Sequence, residues 1–241
     1  MKTSVYCIQR HREINSRIQH YSVNQQVAGM KFDHERETEL TSVPAQLETD
    51  IALKEWAILC AALASGKQTI LVRKGGIAEG PDGFQPEHPT FWLFPTNFHQ
   101  AETALNNDGK AFLSHPDIKS NLTPPPAEQI VLKHVGQIEQ IIRLEQESLL
   151  PFLNTFQLLS PETLSNRFHY KEPGLWVMVV RIYQAQDPIV IPDSPHFTGC
   201  RSWVDLPRPY SSPQAEPVLS EEEFQDQVRK LNSVLSENAI G

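Results

Sequence analysis

Three segments of this 241-residue chain hold residues whose types and spacing suit the binding of an anion. The first is Arg73-Lys74-Gly75-Gly76-Ile77-Ala78-Glu79. Two cations at the end of an apolar run, followed by paired glycines, put positive charge beside a backbone that a ligand can approach closely. Alternation along a strand sends Arg73 and Lys74 to opposite faces, so both serve one ligand only where the strand twists or ends between them. The same residues also suit a tight turn closed by an ion pair from Arg73 or Lys74 to Glu79. The GxxxxGK[ST] order of a phosphate-cradling loop is absent.

The second segment is Phe91-Trp92-Leu93-Phe94-Pro95-Thr96-Asn97-Phe98-His99-Gln100. Its aromatic half reads as core. Thr96 is placed to cap a short helix running to Leu105, and free N–H groups at a helix start attract anions. His99 and Gln100 fall in the first turn, where His99 could donate to a phosphate or act as an acid–base group. The third is the run from Leu175 to Tyr183, where Arg181 shares a face with Val177 and Val179. A half-buried guanidinium needs a carboxylate, a carbonyl or an anionic ligand.

The candidate ligand-binding set is therefore Arg73, Lys74, Gly75, Gly76, Glu79, Thr96, His99, Gln100 and Arg181. A hydrolase acting on a phosphate or acyl ester would use His99 as its acid–base group and Glu79 as a second group. A nucleophilic Cys200 paired with His99 or His196 has no supporting local signature. The nine histidines form no HExxH or HxH, and the three cysteines no CxxC, so neither a metal site nor a cofactor is expected.

The elements that must position these residues read as mixed. Asp50 caps a helix over 51–64, stopped by Ser65-Gly66. Strands are expected over 68–73 and 91–94. Between Gln129 and Ile142, apolar residues recur at Ile130, Leu132, Ile138 and Ile142, a period of two with Gly136 as a bulge. A helix follows from Glu145 and another opens at Ser160-Pro161-Glu162, before the strongest strand, 175–183. Strands and helices do not alternate regularly. The expected fold is α+β, a largely antiparallel or barrel-like sheet flanked by several helices in a single domain.

Charge divides the chain. Residues 1–49 balance six basic against six acidic side chains and read as a mobile arm; Met30 offers a second start besides Met1. Residues 50–206 carry twelve basic and seventeen acidic side chains and form the α+β domain. Residues 207–219 read as a Pro-rich linker. Residues 220–237 read as an amphipathic helix, with Ser220 and Glu223 in a capping box and a stripe of Phe224, Val228, Leu231 and Leu235. That stripe docks on its own domain or on a partner protein. The net charge of −8 argues against a protein that coats nucleic acid through bulk charge. No stretch at the start resembles a secretory signal and none is long and apolar enough for a bilayer, so a cytoplasmic protein without a membrane partner is expected.

Ala52-Leu53-Lys54-Glu55-Trp56-Ala57, the Leu71–Ile77 block with Glu79, and Phe91–Thr96 with His99-Gln100 together resemble the bacterial DUF1802 family of uncharacterised proteins. Arg167-Phe168 and Gly199-Cys200-Arg201-Ser202-Trp203-Val204-Asp205-Leu206 fit the same family. Some of its members are fused to a restriction-endonuclease-like domain, which implies a role with nucleic acid. The expectation is a module binding an anionic, phosphate-bearing ligand, a nucleic acid among them, through Arg73, Lys74, Arg181 and the helix start at Thr96. The alternatives are the His99 hydrolase and a protein–protein interaction module.

Overall fold

The computed structural model describes residues 47–74, 88–96, 102–122, 128–199 and 201–238. Strand β1 (Leu47–Trp56) runs straight into helix α1 (Ala57–Ala64), and strands β2 (Ile70–Arg73) and β3 (Thr90–Thr96) follow. Two short helices, α2 (Asn107–Ser114) and α3 (Pro116–Asn121), precede the long strand β4 (Gln129–Leu144). A 3-10 segment, Glu147–Thr155, and helix α4 (Pro161–His169) lead to β5 (Leu175–Pro192). Strands β6 (Trp203–Ser212) and β7 (Glu216–Pro217) and the closing helix α5 (Glu221–Asn238) complete the described chain.

One seven-stranded sheet has the order β2-β5-β4-β3-β1-β6, with β7 paired to β5. All its pairings are antiparallel except β1 with β3. The architecture is the expected α+β. The sheet also curls. Ser212 ends β6 at one side of the order, and Glu216 pairs with Gln184 of β5 beside β2 at the other. Four residues reach about 14 Å at most, so the two ends of the sheet lie close together.

Curling gives each strand an inner and an outer face, both apolar. Ile51 and Leu53 of β1, Leu71 of β2, Phe91 and Leu93 of β3, and Met178 and Val180 of β5 form one inner cluster. Ile70, Val72, Val177 and Val179 face outward, into a larger cluster with α4 and α5. Helix α1 sits between the two. Its Cys60 and Leu63 join the inner cluster while Ile58, Leu59 and Ala62 join the outer one, which is why it is apolar all round.

Two readings, the helix over 51–56 and the bulge at Gly136, depart from the sequence expectation. Residues 51–56 are strand, not helix, because a strand buried on both faces reads as a continuous apolar run that periodicity cannot tell from a buried helix. Thr96 ends β3 opposite Trp56, and its Oγ1 donates to the Glu55 carbonyl at 3.1 Å; residues 97–101, where the short helix to Leu105 is expected to start, lie outside the described residues, and Glu102–Ala104 form a 3-10 turn. Gly136 is not a bulge but a regular pair of Ile182, with register shifts on either side at Leu132/His134 and Ile138/Gln140. It is glycine because a Cβ there would stand 2.7 Å from the Phe91 ring. The helix expected after Glu145 is present as a 3-10 helix, Glu147–Thr155.

The proline-rich stretch from Leu206 is extended as expected, but its Tyr210–Ser212 pair with β1 in the sheet, after a register shift that spans residues 206–209. Leu47 to Thr49, expected in the mobile arm, form the other half of that pairing. The helix at Pro161, capped by Ser160 Oγ, and the Ser220/Glu223 capping box stand where the sequence puts them. Phe224, Leu231 and Leu235 are buried in the outer cluster, so the stripe of α5 docks on its own domain.

Candidate functional site

One end of the curled sheet gathers polar residues above the inner cluster. β1 and β2 end there, at Glu55–Trp56 and Arg73. β4 ends at Arg143–Leu144 and β5 begins at Leu175–Trp176, where Trp176 pairs with Arg73 on one side and Arg143 on the other. Alternation sets which side chains turn inward. Glu55 follows Ile51 and Leu53, Arg73 follows Leu71, and Trp176 precedes Met178. Arg143 pairs with Trp176 and shares its side, since Ile141 pairs with Met178 of the inner cluster. Glu55, Arg73, Arg143 and Trp176 therefore form a polar mouth one step above an apolar floor.

Glu55 is only 4% exposed. Its Oε2 accepts from Arg73 Nη1 at 2.5 Å, and its Oε1 accepts from the Trp56 N–H at 2.9 Å. Arg73 Nη2 donates to Ser202 Oγ at 2.5 Å, so one guanidinium ties β2 to β1 and to the start of β6. Arg167 of α4 lies outside this pair, 5.3 Å over the Trp56 ring, and donates to the Val72 carbonyl at 2.8 Å. Burial pulls its pKa down, Glu55 opposes that shift, and Arg73 adds to it. Two arginines, Arg73 and Arg167, thus share one buried carboxylate.

Lys74 turns the other way, as alternation requires, and is spent on structure. Its Nζ donates to the carbonyls of Phe168, Glu172 and Gly174, closing the turn between α4 and β5. Loss of water lowers its pKa, Arg143 lowers it further, and Glu172 opposes both. Arg143 is held differently. Its guanidinium lies 5.0 Å over the Trp176 ring, and Nη2 donates to the Pro173 carbonyl at 3.3 Å. Among the described residues it meets no carboxylate.

Arg181, expected to join Arg73 and Lys74, does not. It faces the outer side, 8% exposed, with Nη1 2.8 Å from Glu221 Oε2 and its guanidinium 4.9 Å over Phe224. Its Nη2 also donates to the Leu219 carbonyl. It anchors α5, and four residues of β5 separate it from Trp176. Gly75, Gly76, Glu79, His99, Gln100 and Cys200 lie outside the described residues. His196 Nε2 lies 3.0 Å from the Asp205 carbonyl. Among the described residues the thiol is that of Cys60, which is buried; burial and then Glu55 push its pKa well above the ordinary value, so it is a poor nucleophile. Among the described residues no group of three or more histidine, cysteine or acidic side chains could hold a metal ion.

A family model, "Domain of unknown function (DUF1802)", matches residues 52–230. This chain belongs to the DUF1802 family. The match runs through β6 and into α5, well past Leu206. Comparison with curated proteins finds no match. Among solved structures, ASCH from Zymomonas mobilis is similar at 15% identity and a TM-score of 0.36, covering 74% of this chain and 93% of its own. A point mutant of the same protein gives 14% identity and 0.37, covering 74% and 94%. No helix among the described residues is long and apolar enough to cross a membrane.

Sequence reasoning about this DUF1802 chain misses Arg143 for a definite reason. With Ile138 facing inward, strict alternation would send Gln140 and Ile142 inward too, and Arg143 outward. The register shift between Ile138 and Gln140 inserts one residue and exchanges the faces, bringing Ile141 and Arg143 in. Glu55 and Trp56 are missed because residues 51–64 read as one helix. Arg167 and Ser202 stand in the motifs that carry the family resemblance, but nothing in their spacing links them to Arg73.

Proposed function

We propose that this DUF1802 chain is a binding module whose mouth takes a phosphate-bearing ligand, with Arg143 as the receiving cation. The observation that carries the reading is the state of that side chain. Its guanidinium is oriented by Trp176 and the Pro173 carbonyl, and among the described residues its other N–H donors meet no acceptor. Arg73 lines the same mouth with its charge already met by Glu55, and Arg167 and Lys74 add positive potential from outside. A planar guanidinium held in place is suited to two parallel hydrogen bonds to a phosphate. The His99 reading rests on residues outside the described ones, and the described residues of the mouth supply no acid–base pair in its support.

Thermal shift and calorimetric titration with inorganic phosphate, pyrophosphate and a nucleoside monophosphate test the reading. A charge-assisted hydrogen bond is worth about 1.5–3 kcal/mol, so Arg143→Ala should weaken binding roughly 10- to 100-fold without unfolding the chain. No stabilisation by any of these anions, or unchanged affinity in Arg143→Ala, overturns it.

A further inference from the structure

The chemistry of the mouth goes further than a phosphate. Two arginine–tryptophan stacks, Arg143 over Trp176 and Arg167 over Trp56, lie at the same end of the sheet, on either side of the Arg73–Glu55 pair. All four stacking residues are only partly buried. Beneath Trp176 the packing is apolar and closed, with Leu53, Leu71, Leu93 and Met178 buried, so the surface that reaches solvent is that of the stacks themselves. A free phosphate has no use for such planar faces, which are matched by a flat heterocycle.

We infer that the phosphate-bearing ligand is single-stranded nucleic acid, with an unpaired base laid against the Arg143–Trp176 stack and its phosphates on the arginines. This rests on the phosphate reading above. Single-strand sites combine cations that track the backbone with planar side chains that receive bases, and guanidinium planes receive bases as tryptophan does. A duplex keeps its bases stacked on each other and offers the mouth only phosphates. The acidic balance of the chain fits a local site of this kind, because bulk charge gives no help elsewhere.

The experiment compares three probes at fixed salt by fluorescence anisotropy: a single-stranded oligonucleotide of about ten nucleotides, an abasic strand of equal length, and the matching duplex. Stacking of one base should favour the base-bearing strand over the abasic one roughly 5- to 100-fold, with the duplex no better than the abasic strand. Trp176→Ala should bring that ratio near one while leaving abasic binding in place, and Arg143→Ala should weaken both strands alike. Trp176→Phe, which keeps a ring, should keep most of the ratio. Where Trp176→Ala does not fold, the wild-type comparison alone decides. Equal affinity for base-bearing and abasic strands, or preference for duplex, overturns the inference and leaves the phosphate reading standing. Absence of binding to every probe and to inorganic phosphate overturns both.

Discussion

Arg73 Nη1 lies 2.5 Å from Glu55 Oε2, although β2 and β1, the strands that carry them, are separated by three strands in the sheet order. The pair is thus a direct mark of curling: only a sheet folded round on itself brings these two positions together. With Ser202 on the same guanidinium, side chains join β2 to β1 and β6, while the ladder of β2 runs to β5. The clasp also sets the electrostatics of the mouth, since it neutralises one of its two inner arginines and leaves Arg143 as the one whose charge is unmet among the described residues.

Breaking this clasp from one side should be costly. Glu55→Leu leaves Arg73 half-buried without a counter-charge, and Arg73→Leu leaves Glu55 buried and ionised. Each should lower stability by about 3–5 kcal/mol. The double substitution removes both charges and should cost less than the sum of the two. Urea denaturation of the four proteins reads the coupling directly. Additive losses would show that the two groups do not support each other.

How much of this was legible in the sequence follows from the same residues. Single elements bounded by local signals could be read: Ser160-Pro161 opens α4, Ser220 with Glu223 opens α5, and the apolar run from Leu175 opens β5. The location of Arg73 and Lys74 at a strand end could also be read. What could not be read were facts set by long-range pairing. Among the described residues the acid of Arg73 is Glu55, eighteen residues before it, while Glu79 lies outside them. Arg181 belongs to α5, and Arg143 faces inward because one inserted residue exchanged the faces of β4. Local periodicity carries no information about any of the three.

Helix α5 was expected to dock on the domain or on a partner, and its burial makes the first outcome quantitative. Leu231→Ala should cost about 2–5 kcal/mol, the range for a leucine emptied from a packed core. Glu221→Ala should cost under about 1 kcal/mol, because Glu221 is exposed and water screens its bond to Arg181. Arg181→Ala should cost more than Glu221→Ala, since it also removes the stack on Phe224. Equal small losses at all three positions would show that α5 is not part of the cooperative fold.

Gly174 holds a φ of +126°, and a Cβ placed there would run into the Arg143 guanidinium. Gly174→Ala should therefore act twice. Backbone strain should lower stability by about 1–3 kcal/mol. The displaced Arg143 should also lose its place over Trp176, weakening phosphate binding by a factor similar to that of Arg143→Ala. Calorimetric titration beside a melting curve separates the two effects. A variant that melts early yet binds phosphate as tightly as the wild type would show that the orientation of Arg143 does not matter.

His134 on β4 supplies a pH dependence far from the mouth. Burial, followed by the charge of Lys133, lowers its pKa to about 4, against about 6.5 in the unfolded chain. Above pH ~6.5 the imidazole is neutral in both states and has no effect. Between pH ~6.5 and ~4 the unfolded chain takes up a proton that the folded chain refuses, so stability falls as pH falls through that window. A shift of this size corresponds to about 2–3 kcal/mol by pH 4. His134→Gln removes the titration, so the stability difference between wild type and variant should narrow or change sign from pH 7 to pH 4.5. A constant difference over that range would mean that His134 is as free to charge in the folded protein as in the unfolded chain.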